Sequence, residues 1–157
     1  MNYFLHRIQK NADVYTKGIE VHDNLDDAVR SFWGRVKTGY NNPQNPGMEF
    51  VACKITDSTG ATYPKYDSTW LKQSAEIPEN VFYFHSIRKE GDTVTKAIDV
   101  HTTLDAAMVA FASAMEYGYN NPSHANVKYV FCEITDMLSG GMVLAEDRWV
   151  KPEEPEE

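Results

Sequence analysis

Apolar and polar positions change rhythm along this chain in one order, and the order occurs twice. Residues 3–10 and 82–89 are rich in aromatic and β-branched side chains and end in Asn11-Ala12-Asp13 or Glu90-Gly91-Asp92. This composition predicts a strand entering a hairpin. The returning runs, 15–22 and 94–101, alternate at their ends: Ile19 and Val21, or Ile98 and Val100, oppose Glu20 or Asp99. The period then lengthens. Leu25, Ala28, Val29, Phe32 and Val36, and likewise Leu104, Ala107, Met108, Phe111 and Met115, fall on one face of a helix. Asp23-Asn24 and Thr102-Thr103 precede these helices as N-cap types, and Asp26, Asp27 and Asp105 place acids in the first turns. A third strand follows at 48–57 and 127–136, and a last one ends at Trp70 or Trp149. In the third strand Val51, Cys53 and Ile55 are expected to face the helix.

Each unit therefore reads as ββαββ, an α+β fold with one helix on one face of a four-stranded antiparallel sheet. Offset by 79 positions, residues 2–72 match 81–151 without a gap and agree at 25 of 71 places. Two copies are too few for a solenoid, so the chain is a tandem pair of homologous units. The organisation expected is a first repeat at 1–72, a linker at 73–79, a second repeat at 80–151 and a disordered acidic tail at 152–157. The opposite sheet face is expected to carry Tyr3, Leu5, Phe50, Phe82, Phe84, Tyr129 and Phe131. Such a patch marks an interface. Sheet-on-sheet contact between the copies would bury it, and oligomerisation of whole chains is the other route.

The longest identical segment is Gly-Tyr-Asn-Asn-Pro at 39–43 and 118–122. Gly39 and Gly118 are expected to end the helices in the left-handed conformation, with the proline preventing continuation. Tyr40, Asn41, Asn42, Tyr119, Asn120 and Asn121 are candidate ligand contacts, able to stack on and hydrogen-bond a polar or nucleotide-like molecule. A purely architectural cap and turn is the other reading. Off the apolar helix stripe the repeats diverge: Arg30, Trp33, Arg35 and Lys37 become Val109, Ala112, Ala114 and Glu116. The second helix is expected to be the more buried. Trp33 and Arg35 become candidate partner-contacting residues of a first repeat specialised for contact.

Charge changes the picture only once it is divided. The net is −8, but residues 1–72 hold 9 basic and 8 acidic groups and residues 80–151 hold 6 and 9. Four glutamates of the tail and two of the linker supply the remainder. Neither a basic nucleic-acid footprint nor an acidic DNA mimic fits this balance. No apolar run approaches the roughly 20 residues of a membrane span. The first residues lack the pattern of a secretory signal. Cys53 and Cys132 stand at equivalent places inside apolar strands, as core hydrophobes or, if those strands met, a disulfide. Together these features lead us to expect a reduced, cytoplasmic protein.

Chemistry is sparse. His6, His22, His85, His101 and His124 lack the spacing of a metal site, and no metal or cofactor is expected. Asp57 and Asp136 enter turns, where an Asx turn is expected in preference to general-base work. Phosphate loops, nucleophile elbows and Cys–His pairs do not occur as motifs. A non-enzymatic binding protein is expected.

An aromatic first strand, Thr-Lys-Gly-Ile-Glu-Val-His at 16–22, a Leu-Asp-x-Ala helix start, Gly-Tyr-Asn-Asn, a cysteine-bearing strand and a terminal Trp make up one unit. The unit resembles small uncharacterised proteins encoded by phages and prophages of gut Firmicutes. The resemblance implies a viral binding role in the host cytoplasm, towards a host protein or a small signalling ligand, as an anti-defence factor. A morphogenetic component that self-associates through its apolar sheet face is the alternative.

Overall fold

A computed structural model describes residues 1–73, 80–136 and 141–153. The first repeat comprises β1 (Tyr3–Asn11), β2 (Val14–His22), α1 (Leu25–Val36), β3 (Met48–Asp57) and β4 (Thr62–Leu71). The second comprises β5 (Phe82–Glu90), β6 (Thr93–His101), α2 (Leu104–Met115), β7 (Val127–Asp136) and β8 (Met142–Val150). Both sheets are antiparallel, ordered β2-β1-β3-β4 and β6-β5-β7-β8. The expected α+β architecture of two ββαββ repeats is the one observed. Most of the linker (74–79) and of the tail (154–157) lies outside the described residues.

Register decides which side chains meet the helix. Leu5 is paired with both Glu20 and Ile55, and Phe84 with Asp99 and Ile134. Paired residues share a sheet face, so Leu5 lies beside Ile55 beneath α1, and both are wholly buried. Tyr3, Leu5, Phe82 and Phe84 therefore belong to the helix side, not to the opposite face expected from the sequence. The cause is that Tyr3-Phe4-Leu5 is apolar on both faces, so alternation within β1 selects neither. Phe50, Tyr129 and Phe131 do lie on the far side, one position out of step with Val51, Val130 and Cys132.

The helices start as expected. Asn24 Oδ1 accepts the Asp27 amide at 2.9 Å and Thr103 Oγ1 accepts that of Ala106 at 3.1 Å. Their ends differ from expectation. Gly39 and Gly118 do not take the left-handed conformation; Tyr40 (φ 55°), Asn41 (φ 52°), Tyr119 (φ 58°) and Asn120 (φ 52°) do. The glycines are needed for proximity. A Cβ on Gly39 would lie 3.0 Å from Trp70 Cε3, and one on Gly118 would lie 3.0 Å from Trp149 Cε3. The tryptophan closing each sheet thus packs directly on helix-end backbone.

The two repeats meet through their helices, and the sheets lie outside. Trp33 of α1 packs edge-on against Phe111 of α2, ring centroids 5.2 Å apart. Face-to-face packing of the two sheets, the arrangement expected above, is not seen among the described residues, where the sheets touch at their edges through Lys65 of β4 and Asp147 of β8. Nor is α2 the more buried helix: α1 buries Ala28, Val29, Phe32, Trp33 and Val36, whereas α2 buries Ala107, Phe111, Ala112 and Met115. The extra apolar residues of α2, Val109, Ala110 and Ala114, sit half-exposed at its rim.

Candidate functional site

The duplicated loops act between the repeats. Asn41 Nδ2 donates to Asp105 Oδ2 at 2.6 Å, and Trp70 Nε1 reaches the same oxygen at 3.3 Å. The reciprocal set is present: Asn120 Nδ2 donates to Asp26 Oδ2 at 3.0 Å and Trp149 Nε1 at 3.2 Å. Each loop thus grips the first-turn acid of the other repeat's helix. Behind it Asn42 Nδ2 donates to the Lys37 carbonyl, and Asn121 Nδ2 to that of Glu116, both at 2.6 Å. These bonds satisfy helix-end carbonyls that would otherwise lack partners. They also offset the roughly 1–2 kcal/mol that each left-handed non-glycine residue costs.

Tyr40 and Tyr119 extend the pattern unequally. Tyr119 is buried, and its hydroxyl donates to Asp147 Oδ2 at 2.5 Å. Burial first, and then the Asp147 carboxylate, hold the Tyr119 phenol far above its usual range. Trp33 Nε1 donates to the same carboxylate oxygen at 3.1 Å, Lys65 Nζ lies 2.5 Å from Oδ1, and the Tyr66 and Tyr119 hydroxyls are 3.1 Å apart. Asp147, Tyr119 and Trp33 make a buried polar node between the repeats. At its counterpart in the first repeat the Tyr40 ring packs on Trp70 and its hydroxyl lies 3.3 Å from that of Ser68. Asp147, Lys65 and Tyr66 were not singled out from the sequence. The available signal was a carboxylate two residues before Trp149, on the strand face that carries that tryptophan towards the helix.

A polar cleft of about 520 Å³ opens where α1 meets the seam, lined in part by His22, Asp27, Arg30, Arg35, Lys37 and Glu116. Its cations are already matched. Arg35 binds Glu20 through Nε at 2.8 Å, Lys37 lies 2.5 Å from Glu116, and Arg30 lies 3.0 Å from Asp27 while donating to the Tyr119 carbonyl at 2.8 Å. Ser31 also donates to Glu20. Arg35 is thus tied within its own repeat, and Trp33 is buried at the seam.

The cysteines are free and buried, and burial pushes both thiols up to about 12. Asp57 forms the expected Asx turn: its Oδ1 accepts the Thr59 amide at 2.8 Å and its Oδ2 accepts the Tyr63 hydroxyl at 2.9 Å. Among the described residues no three His, Cys, Asp or Glu side chains converge as metal ligands.

What the helices leave uncovered is the outer face of each sheet. Ile19 and Val21 are 61% and 58% exposed, and Ile98 and Val100 are 64% and 61% exposed. Leu71 and Val150 join them on the edge strands. The alternation along β2 is observed as expected: Glu20 turns inward to α1 while Ile19 and Val21 turn outward. A depression of about 410 Å³ lined by Lys10, Tyr15, Phe50 and Leu71 marks the first face. Comparison of the chain with protein-family models, with curated proteins and with solved structures found no significant similarity.

Proposed function

We propose that this protein works by binding, without catalytic turnover, and that its outer sheet faces are the working surfaces. The observation that carries this reading is the exposure of Ile19, Val21, Ile98 and Val100, with Leu71 and Val150, on the sheet faces turned away from the helices. Contiguous exposed apolar surface marks interaction sites. The Tyr-Asn-Asn loops serve as clasps in this reading, since Asn41 and Asn120 each bond an acid of the other repeat and Tyr119 meets Tyr66 of the first. A phage origin and a partner in the host cytoplasm, implied by the resemblance, complete the proposal, and an anti-defence role would follow from blocking that partner.

A second reading is favoured by the placement of the faces. With the helices in the middle, the two apolar surfaces look in opposite directions, as in a building block that stacks. A morphogenetic component would use them so.

The test is to capture binding partners on immobilised protein, comparing the native chain with the variants Ile19→Asp/Val21→Asp and Ile98→Asp/Val100→Asp. One or both face variants should lose a stoichiometric partner, whether a host protein or a further copy. Asn41→Ala/Asn120→Ala should retain it if folded. Unchanged binding by both face variants, or turnover in a hydrolase panel, would count against the reading.

A further inference from the structure

Arg30 and Val109 occupy equivalent positions on the two helices. Beside the second loop, Arg30 Nη1 donates to the Tyr119 carbonyl at 2.8 Å, and Nη2 lies 3.0 Å from Asp27 Oδ1. The guanidinium thus joins the start of α1 to the loop. Beside the first loop this bridge is missing, because Val109 replaces the arginine and Ala106 replaces the aspartate. The Tyr40 carbonyl, counterpart of that of Tyr119, accepts no hydrogen bond from the described residues. A depression of about 300 Å³ opens there, lined in part by Tyr40, Asn41, Pro43, Asp105, Ala106 and Val109.

The frame around the two places is the same. Tyr40 and Tyr119 take φ 55° and 58°, Asn41 and Asn120 both take 52°, and each asparagine bonds the first-turn acid opposite. The first loop therefore offers its carbonyl to the Val109 position as the second loop offers its own to Arg30. Within one molecule, the filled copy shows what chemistry the open copy accepts.

The lining agrees with that. Asp105 is its one charged residue, and no basic side chain contributes to it. Asp105 Oδ2 is taken by Asn41 and Trp70, while its Oδ1 accepts no bond from the described residues. A carbonyl and a carboxylate oxygen are acceptors only, and Pro43, Ala106 and Val109 add an apolar wall. A planar fork of donors on an aliphatic stem matches both parts. We infer that this depression binds a guanidinium group on an aliphatic chain, a free guanidino compound or an arginine side chain of another protein, in the place that Arg30 fills on the other side. The site lies at the clasp, apart from the exposed sheet faces, so it does not depend on what those faces bind. One acid stands here where the first helix has Asp26 and Asp27, and binding is accordingly weak.

Titrations followed by nitrogen–proton correlation spectra test this. Butylguanidine serves as the free guanidino compound and acetyl-Gly-Arg-Gly-amide as the protein arginine. The same peptide with citrulline, a neutral urea in place of the guanidinium, is the control. At least one guanidinium compound should shift the Asn41 side-chain amide and the backbone amides from Thr103 to Val109 with a Kd of about 1 mM. The tighter of the two identifies the source, and the citrulline peptide should bind about tenfold more weakly. Ala106→Asp/Val109→Arg copies the first helix, fills the depression and should weaken binding about tenfold. Asp105→Asn keeps an acceptor for Asn41, removes the charge and should weaken binding to a similar extent. Absence of shifts with both guanidinium compounds overturns the site. Equal binding of the citrulline peptide, or native affinity in Ala106→Asp/Val109→Arg or Asp105→Asn, overturns it as well.

Discussion

Lys37 Nζ lies 2.5 Å from Glu116 Oε2, and the two residues occupy the same place in their respective repeats. A symmetric pair of identical units would bring lysine to lysine or glutamate to glutamate here. Fusion in one chain removes that constraint, because each copy mutates alone. Trp33 and Ala112 show the same release in size: a single indole fills space beside Phe111. The seam is thus that of an unlike pair, although the folds it joins are alike.

Reversing one charge at this seam should therefore cost more than removing it. Lys37→Glu or Glu116→Lys places like charges side by side, and with both side chains partly exposed the cost is about 1 kcal/mol. The exchange Lys37→Glu/Glu116→Lys should return most of the loss. A double-mutant cycle in urea measures the coupling; single variants as stable as the native chain would show that water screens the pair completely.

Gly39 and Gly118 are expected to reject a methyl group for a reason unrelated to backbone angle. Their Cβ positions lie 3.0 Å from the Trp70 and Trp149 rings. Gly39→Ala and Gly118→Ala should each destabilise by about 1–3 kcal/mol through overpacking and shift tryptophan fluorescence. Gly60→Ala is the contrast. Gly60 sits at φ 83° with open space around it, so its substitution should cost about 1 kcal/mol and leave the fluorescence alone.

The two ββαββ units, the caps at Asn24 and Thr103 and the Asx turn at Asp57 were legible in the sequence because local spacing determines them. The face of Leu5 was not, since an apolar triplet satisfies either side and only pairing with Ile55 decides. Helix termination at Gly39 was misread for a related reason: a glycine after a helix signals positive φ or close approach, and only the distant Trp70 shows which. The clasps between Asn41 and Asp105, or Asn120 and Asp26, join residues far apart in the chain and leave no linear trace. Alternation set Ile19 and Val21 apart from Glu20 without saying which side meets the helix, and only the pairing of Glu20 with Leu5 decides it.

Acid should weaken the fold through Asp57. The Thr59 hydroxyl foremost, with the Tyr63 hydroxyl and the Thr59 and Ala61 amides, holds this carboxyl at about 2 against the usual 3.8. A depressed carboxyl stabilises the folded state above its unfolded value and loses that contribution as pH falls, here between about 4 and 2. Glu20 acts in the same sense: burial pushes it up, but bonds from Ser31 and Arg35 outweigh burial and lower it. Asp57→Asn should flatten the acid limb of a stability-against-pH curve measured with urea. An unchanged limb would place the acid sensitivity elsewhere.

The largest single loss is expected at Asp147. Its side chain is wholly inaccessible, and its Oδ2 accepts both the Tyr119 hydroxyl at 2.5 Å and the Trp33 indole at 3.1 Å. Asp147→Ala leaves the buried Trp33 indole unpaired and the Tyr119 hydroxyl with Tyr66 as its remaining partner. At about 1–3 kcal/mol for a buried unsatisfied group, with the bond from Tyr119 also lost, the cost should be about 3 kcal/mol, with Lys65, half-exposed, regaining water. Asp147→Ser copies the arrangement around Ser68 and Tyr40 and should cost less, because a hydroxyl still meets Tyr119. The first repeat supplies the control: Ser68→Ala removes one weak partner of Tyr40 and should fall below about 1 kcal/mol. Chemical denaturation of the three variants orders these costs. If Asp147→Ala proved no worse than Ser68→Ala, the node would not be what locks the repeats together.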